Sequence, residues 1–441
     1  MSQCLVNPLC LFLGVWGVAT ILYLGGIWAG TFPLPGSLAV EVFLLNAGTF
    51  CLGYLTWSLF PCLPPRSGRA RDLALDPDAA DRPVGVGLKP LTRKRLVLAL
   101  QFTLLMGGAA LLMEFYRLTL LASRFNTSWS YLMTHPSVFR MRLVQFIGTN
   151  VFQTSSTVML LSLTNSIFSL GFVLLGLFLY LDRTAWRYLY LSAFLLISLI
   201  IGLLHLSRYE MTANILYLVF AYCLVRAQNS LRFPVSSVQP PHFPLRTSNV
   251  QLIVPTATIA LLFLAIDLLL RKSAEYGQTN RLQGVAFHFW WYMASPLAAF
   301  NEFVTTFHGD YGLGQNTFFP LYKWLCRFHL APETEISFYG EKVLIPYMTN
   351  VYTYLRNFYA DFGVWGVTIG PYLLGGTLAA IREQAGRCFH VLNLYLVLLM
   401  FVLFSFYNFY LFSNQIYLQV LFGFLLFRYE IPGAAPRKDS V

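Results

Sequence analysis

Apolar residues in this chain gather into long unbroken runs, not into the stripes of a soluble helix. Ten such runs lie near 9–31, 37–61, 96–116, 151–181, 188–206, 209–226, 249–270, 363–381, 388–411 and 413–429. A helix rises about 1.5 Å per residue, so about 20 apolar residues cross a hydrocarbon core about 30 Å thick. The pattern therefore predicts an all-α, polytopic membrane protein with about ten transmembrane helices. The fourth run is long for one crossing, which calls for a tilted or broken helix, or a surface helix ahead of it. The sixth begins where the fifth ends, so the two are expected to form a tight hairpin. The order divides the chain into 1–270, with helices 1–7, an inner loop at 63–95 and an outer segment at 117–150; a large outer segment, 271–362; and 363–441, with helices 8–10 and a tail.

Composition agrees. Hydrophobic residues make up 57% of 441 positions and charged residues 11%, more apolar side chain than one soluble core can hide. The 17% aromatic content suits helix ends that meet the membrane–water boundary many times. A net charge of +11 does not point to nucleic acid, because the Lys and Arg form no continuous tract. They fall between the runs, as orientation signals do. With a cytoplasmic N-terminus, 18 of the 30 basic residues lie on the inner side, among them Arg93, Lys94 and Arg95, which follows the positive-inside bias. The seven Cys are scattered without paired spacing and read as packing residues. No basic stretch precedes the first run, so a cleaved signal peptide is not expected.

Chemistry is sought where a charge sits at membrane depth, because that placement is costly. Arg208 lies between the fifth and sixth runs, at the outer end of the hairpin. Its guanidinium either donates a fork of hydrogen bonds to a diphosphate or carboxylate, or pairs with Glu210 or snorkels to the interface. Glu41, Glu114 and Asp267 are weaker candidates, near span ends or able to pair locally. In the outer segment, Arg281 precedes the aromatic stretch that contains Trp291 and Tyr292. On a helix starting near Asn350, Tyr352, Arg356 and Tyr359 would share a face and line one wall. Aromatic faces of that kind stack on sugar rings, and they equally form an interfacial belt. No Gly-rich phosphate loop, HExxH or GxSxG occurs, and the seven His show no ligand spacing.

Three features resemble the oligosaccharide repeat-unit polymerases, the Wzy-type O-antigen and exopolysaccharide polymerases. The most specific is Asn350-Val351-Tyr352-Thr353, followed by Tyr359-Ala360-Asp361-Phe362-Gly363 and Gly366 at the entry to a span. Ser207-Arg208 and the stretch Tyr292 to Asn301, with Pro296 and Phe300, are weaker. The topology agrees along nearly the whole chain. The resemblance implies a fold similar to membrane glycosyltransferases that use polyprenyl-linked donors, in the bacterial inner membrane with the active site facing the periplasm. It implies transfer of a growing glycan from undecaprenyl diphosphate to a new lipid-linked repeat unit, with no cofactor or metal. Membrane lipids surround such a protein, and a chain-length regulator and a flippase are the expected partners.

Charge developing on the diphosphate must then be met by cations. Arg208 is placed for this, with Arg281 or Arg356 as further cations. Asn350, Tyr352, Thr353, Tyr359, Asp361, Tyr292 and Trp291 are the expected substrate-binding set, although for Asp361 a structural role, capping the helix of the eighth span, is the favoured reading. The acceptor's base stays open among Asp361, Asp310, His288 and His308. An O-antigen ligase shares the donor and is the nearest rival. A transporter is the rival from another class, and it would carry polar groups and broken helices deep in the spans. The unusual polar content is expected at the outer surface.

Overall fold

The computed structural model describes residues 6–59, 89–128, 130–131, 156–182, 184–205, 209–232, 281–309, 311–332, 343–345, 347–349, 351–406 and 413–431. Helices dominate: α1 Pro8–Trp28, α2 Ser37–Leu59, α3 Arg93–Arg124, α4 Ser156–Leu181, α5 Trp186–His205, α6 Tyr209–Arg232, α7 Arg281–Thr306, α8 Phe319–Arg327, α9 Leu355–Ala385, α10 Phe389–Phe404 and α11 Asn414–Leu426. Two short ladders accompany them. β1 (Lys89–Pro90) pairs in parallel with β4 (Tyr429–Glu430), and β2 (Val343–Ile345) pairs antiparallel with β3 (Tyr347–Thr349).

Among the described residues seven helices, α1 to α6 and α9, are long and apolar enough to cross a membrane. The run at 249–270 lies outside the described residues. The last two runs give shorter helices than expected, of 16 and 13 residues. At about 1.5 Å per residue neither spans a core about 30 Å thick unaided. The hairpin holds: α5 ends at His205 and α6 begins at Tyr209.

We call the end of the bundle where α1 finishes the upper end. Arg93, Lys94, Arg95, Arg187, Arg226, Arg382, Arg387 and Arg428 all lie toward the lower end, where β1 and β4 tie the start of α3 to the segment after α11. There Leu91 N–H donates to Glu430 O, and Ile431 N–H donates to Arg387 O. Arg93 Nε donates to Asp182 Oδ2 at 2.8 Å and so fastens α3 to the turn that follows α4. Asp182 is tucked in, which alone would raise its pKa. Hydrogen bonds from Thr184 and the Arg93 charge outweigh that and hold the carboxyl below its usual range.

Two centres of packing build the bundle. α4 touches α3, α5, α6 and α11, and its Phe168, Phe172, Leu174, Leu177 and Phe178 are buried. α9 runs along α2 at very short range, with small residues on both helices. A Cβ at Gly53 would strike the backbone of Tyr372, and one at Gly375 would lie 3.0 Å from Tyr54 N. Small residues at such contacts let helix backbones approach where lipid supplies no hydrophobic drive.

The stretch 271–362, expected as an outer cap, contributes more than a cap. Its helix α7 packs across the upper thirds of α1 and α2. Trp290 Nε1 donates to Leu22 O at 3.2 Å, and Asn301 Oδ1 accepts from Gly36 N at 2.8 Å.

Candidate functional site

The lead-in to α9 descends into the bundle before the helix forms. Tyr354 N–H donates to Ser405 O, and its hydroxyl donates to Asn46 Oδ1. Trp16 Nε1 donates to Ser405 Oγ at 2.8 Å, and its indole meets the Tyr354 ring edge-on at 6.0 Å. Trp16 and Asn46 belong to the middle turns of α1 and α2, so the chain at Tyr354 has reached mid-depth.

From there α9 climbs to Gly363 and reverses. Gly363 adopts φ 59° and ψ −141°, a conformation that L side chains rarely reach. On one continuous helix residues 358 and 366 would stand about 12 Å apart. Here a Cβ at Gly366 would collide with Phe358 O, and Gly370 lies beneath the Phe358 ring, 2.9 Å from where its Cβ would be. The element is thus a short ascending helix folded against a descending one, with Pro371 inside the latter. Tyr352, Thr353 and Tyr354 form the re-entrant tip.

Arg356 stands on the short helix within this hairpin. Its Cζ lies 4.4 Å from the Tyr352 ring centroid and 5.2 Å from that of Phe303 on α7. Phe303 also meets Tyr352 and Tyr359 edge-on, at 6.2 and 6.4 Å, and Tyr359 meets Phe300 and Phe307 at 6.3 and 6.0 Å. A desolvated cation–π contact is worth about 2 kcal/mol, and rings offer no anionic oxygen. The two rings pack against the guanidinium and hold it in place. Thr353 beside it is buried, and its Oγ1 has no hydrogen-bond partner among the described residues. Tyr352, Arg356 and Tyr359 are thus brought together around Phe303, not by a helix from Asn350, since the helix begins at Leu355.

Asp361 is fully buried, and its carboxylate is used locally. Oδ1 accepts from Asn316 N at 3.0 Å and Asn316 Nδ2 at 2.9 Å, while Oδ2 accepts from Thr317 N at 2.5 Å. Gly312 N and Leu313 N donate to the carbonyls of Ala360 and Asp361. The residue clamps the loop 311–318 onto the turn at Gly363, a positioning task and not a cap of its own helix. Trp291 is buried against Phe32 and Phe287, about three turns of α7 before Phe303, and belongs to the core there. Tyr292, on the same stretch, is half-buried. His308 is exposed just beyond α7.

Arg208, Asn350 and Asp310 lie outside the described residues, as do the side chains of Arg281 and His288. Glu210 and Asn214 of α6 line a cleft of about 10 Å³ with Asn165, Ser198 and Gln415. That is room for about one water. Asn165, Ser198 and Asn214 are buried within α4, α5 and α6. The expectation that polar content keeps to the outer surface is thus corrected: amides and hydroxyls also line the helix contacts. Asn393 and Gln419 exchange hydrogen bonds between α10 and α11 in the same way. Thr164-Asn165-Ser166, a polar triplet inside an apolar run, was the sequence signal for it.

Glu114 pairs with Arg117 at 2.7 Å, both buried on α3. Among the described residues no group of three or more His, Cys, Asp or Glu is placed to hold a metal. No protein-family model, curated protein or solved structure matches this chain.

Proposed function

We propose that this protein is a repeat-unit polymerase: it transfers a glycan from undecaprenyl diphosphate to the end sugar of a second lipid-linked repeat unit, at the periplasmic face of a bacterial inner membrane and without a metal. The observation that carries the reading is Arg356, packed beside Tyr352 and Phe303 on a re-entrant hairpin within the upper half of the bundle. The acceptor hydroxyl oxygen attacks the anomeric carbon, and the bond from that carbon to the diphosphate oxygen breaks. The bonding pair leaves with the diphosphate, and the hydroxyl proton departs to it or to solvent. Arg356 meets the charge that appears on the leaving oxygen. A preorganised donor of this kind contributes about 3 kcal/mol. Tyr352 and Tyr359, both buried, support Arg356 and Phe303 from behind, and Asp361 holds the surrounding loop. Arg208 remains the second cation of the proposal.

Deletion of the gene in its host, followed by restoration with wild type or Arg356→Ala, tests the reading. We expect the ladder of long glycans to vanish while single lipid-linked repeats persist, and wild type alone to restore it. A ladder unchanged by the deletion would sink the proposal. A glycan that stays on the polyprenyl carrier but fails to reach lipid A identifies a ligase instead.

A further inference from the structure

The most conspicuous surface left unused is on α8. Around this nine-residue helix the side chains fall into ordered sectors. Phe319 and Pro320 are buried toward the protein. On the opposite side Phe318, Leu321, Leu325 and Phe328 form an exposed stripe spaced for one helix face, with Phe328 70% exposed. Leu313 and Leu330, before and after the helix, extend it at 82% and 72% exposed. Trp324 borders the stripe, then Arg327, then Lys323, whose Nζ lies 5.4 Å over the Phe319 ring. Lys323 and Arg327 thus fall in the sector of Phe319 and Pro320, opposite the stripe, and leave its outer face apolar with Trp324 at one edge, as in a helix that meets acyl chains.

The stripe also has a fixed level. Asp361 ties Asn316 and Thr317, at the foot of α8, to the turn that tops α9. Gly314 lies under both Phe318 and Phe362, 3.3 and 3.6 Å from where its Cβ would be. Through this contact the stripe continues into Phe362, Val364, Trp365, Ile369 and Leu373, the exposed apolar flank of a spanning helix. A surface in lipid and a surface continuous with it at one edge share a solvent. We infer that α8 lies in the upper leaflet of the bilayer, its apolar stripe among the acyl chains.

The test uses the full chain in nanodiscs of phosphatidylethanolamine and phosphatidylglycerol. A photoreactive benzoylphenylalanine replaces Leu325 or Phe328 in turn, with Ile369 as a lipid-facing reference, each studied as monodisperse protein. We expect phospholipid adducts at 325 and 328 in yields comparable to 369. Loss of adducts at both positions while 369 still reacts means the stripe faces water, and overturns the proposal. Cross-links to a second copy or another protein at both positions overturn it as well. Polymer formation enters none of these readings, so they stand apart from the activity proposed above.

Discussion

Around α4 the chain is regular, and around α9 it is not. On the first side α3, α5, α6 and α11 close over an uninterrupted helix whose Phe168 and Phe194 rings stack at 5.4 Å. Its backbone groups are satisfied within the helices, so its surfaces need only fit. On the second side the chain enters without a helix, turns at mid-depth, climbs to Gly363 and descends again. Backbone groups freed there must find partners in the protein, since lipid offers none. Tyr354 N–H finds Ser405 O, and Asp361 collects N–H groups from the loop above. Irregular backbone at this depth is retained where it presents groups to something other than lipid. Here it presents Arg356.

The contrast breaks most severely at the reversal. Gly363→Ala forces a Cβ into positive φ and toward the Tyr311 ring, 3.0 Å away at its nearest ring carbon. Strain of about 1–3 kcal/mol adds to the lost fit between the two halves of α9. We expect loss of polymer and a markedly lower melting temperature in detergent, while Gly108→Ala on α3, which meets nothing within 4 Å, leaves both unchanged. Equal tolerance at the two glycines would erase the distinction between the regions.

The regular side has its own weak point in Glu114 and Arg117. Glu114→Ala leaves a buried guanidinium without its carboxylate, a loss of about 3 kcal/mol. Replacing both residues by Leu and Met should recover most of it, because a buried ion pair is often no better than apolar packing. Thermal unfolding of the single and double variants checks this. A double variant as unstable as the single one would assign the pair a role beyond its mutual neutralisation.

Arg356 separates function from stability. Arg356→Lys keeps the charge but not the planar group that packs beside Tyr352 and Phe303. We expect about a hundredfold loss of polymerisation, near the 10²–10³ range for removing one preorganised donor, with melting little changed. A variant of full activity would move the cation to Arg208 or Arg281.

These differences explain which parts of the fold were legible in the sequence. A regular spanning helix must be apolar for about 20 residues whatever it packs against, so α1 to α6 stood out as runs. α7 did not, because protein covers part of it and His288, Asn301 and Glu302 interrupt it. The reversal at Gly363 was not legible at the start of an apolar run, since a glycine declares a positive φ only when packing imposes one. Tyr352, Arg356 and Tyr359 were grouped by a helix expected from Asn350. They meet instead through Phe303, a long-range contact that spacing along the chain cannot carry. Asp361 looked like a sugar ligand or a cap; its actual partners, Asn316 and Thr317, lie more than forty residues earlier.

The smallest effect is expected at the lower rim, where a charge pair fastens α3 to the turn that follows α4 within the regular side. Asp182 is held in its ionised form by Thr184 and Arg93, so its folded pKa lies below its unfolded value near about 3.9. The unfolded chain then binds the proton more readily. The stabilisation is complete above the unfolded pKa and disappears as pH falls through the folded one. Arg93 is 64% exposed, which screens the pair and limits it to under about 1 kcal/mol. Asp182→Asn should lower the melting temperature slightly at neutral pH, more at low salt than at high salt, and make no difference once the wild-type carboxyl is protonated. The comparison is thermal unfolding of the two proteins from pH 7 down to the acid limit of the detergent. A gap that widened on acidification would contradict the lowered pKa and detach Asp182 from the charge that fastens α3.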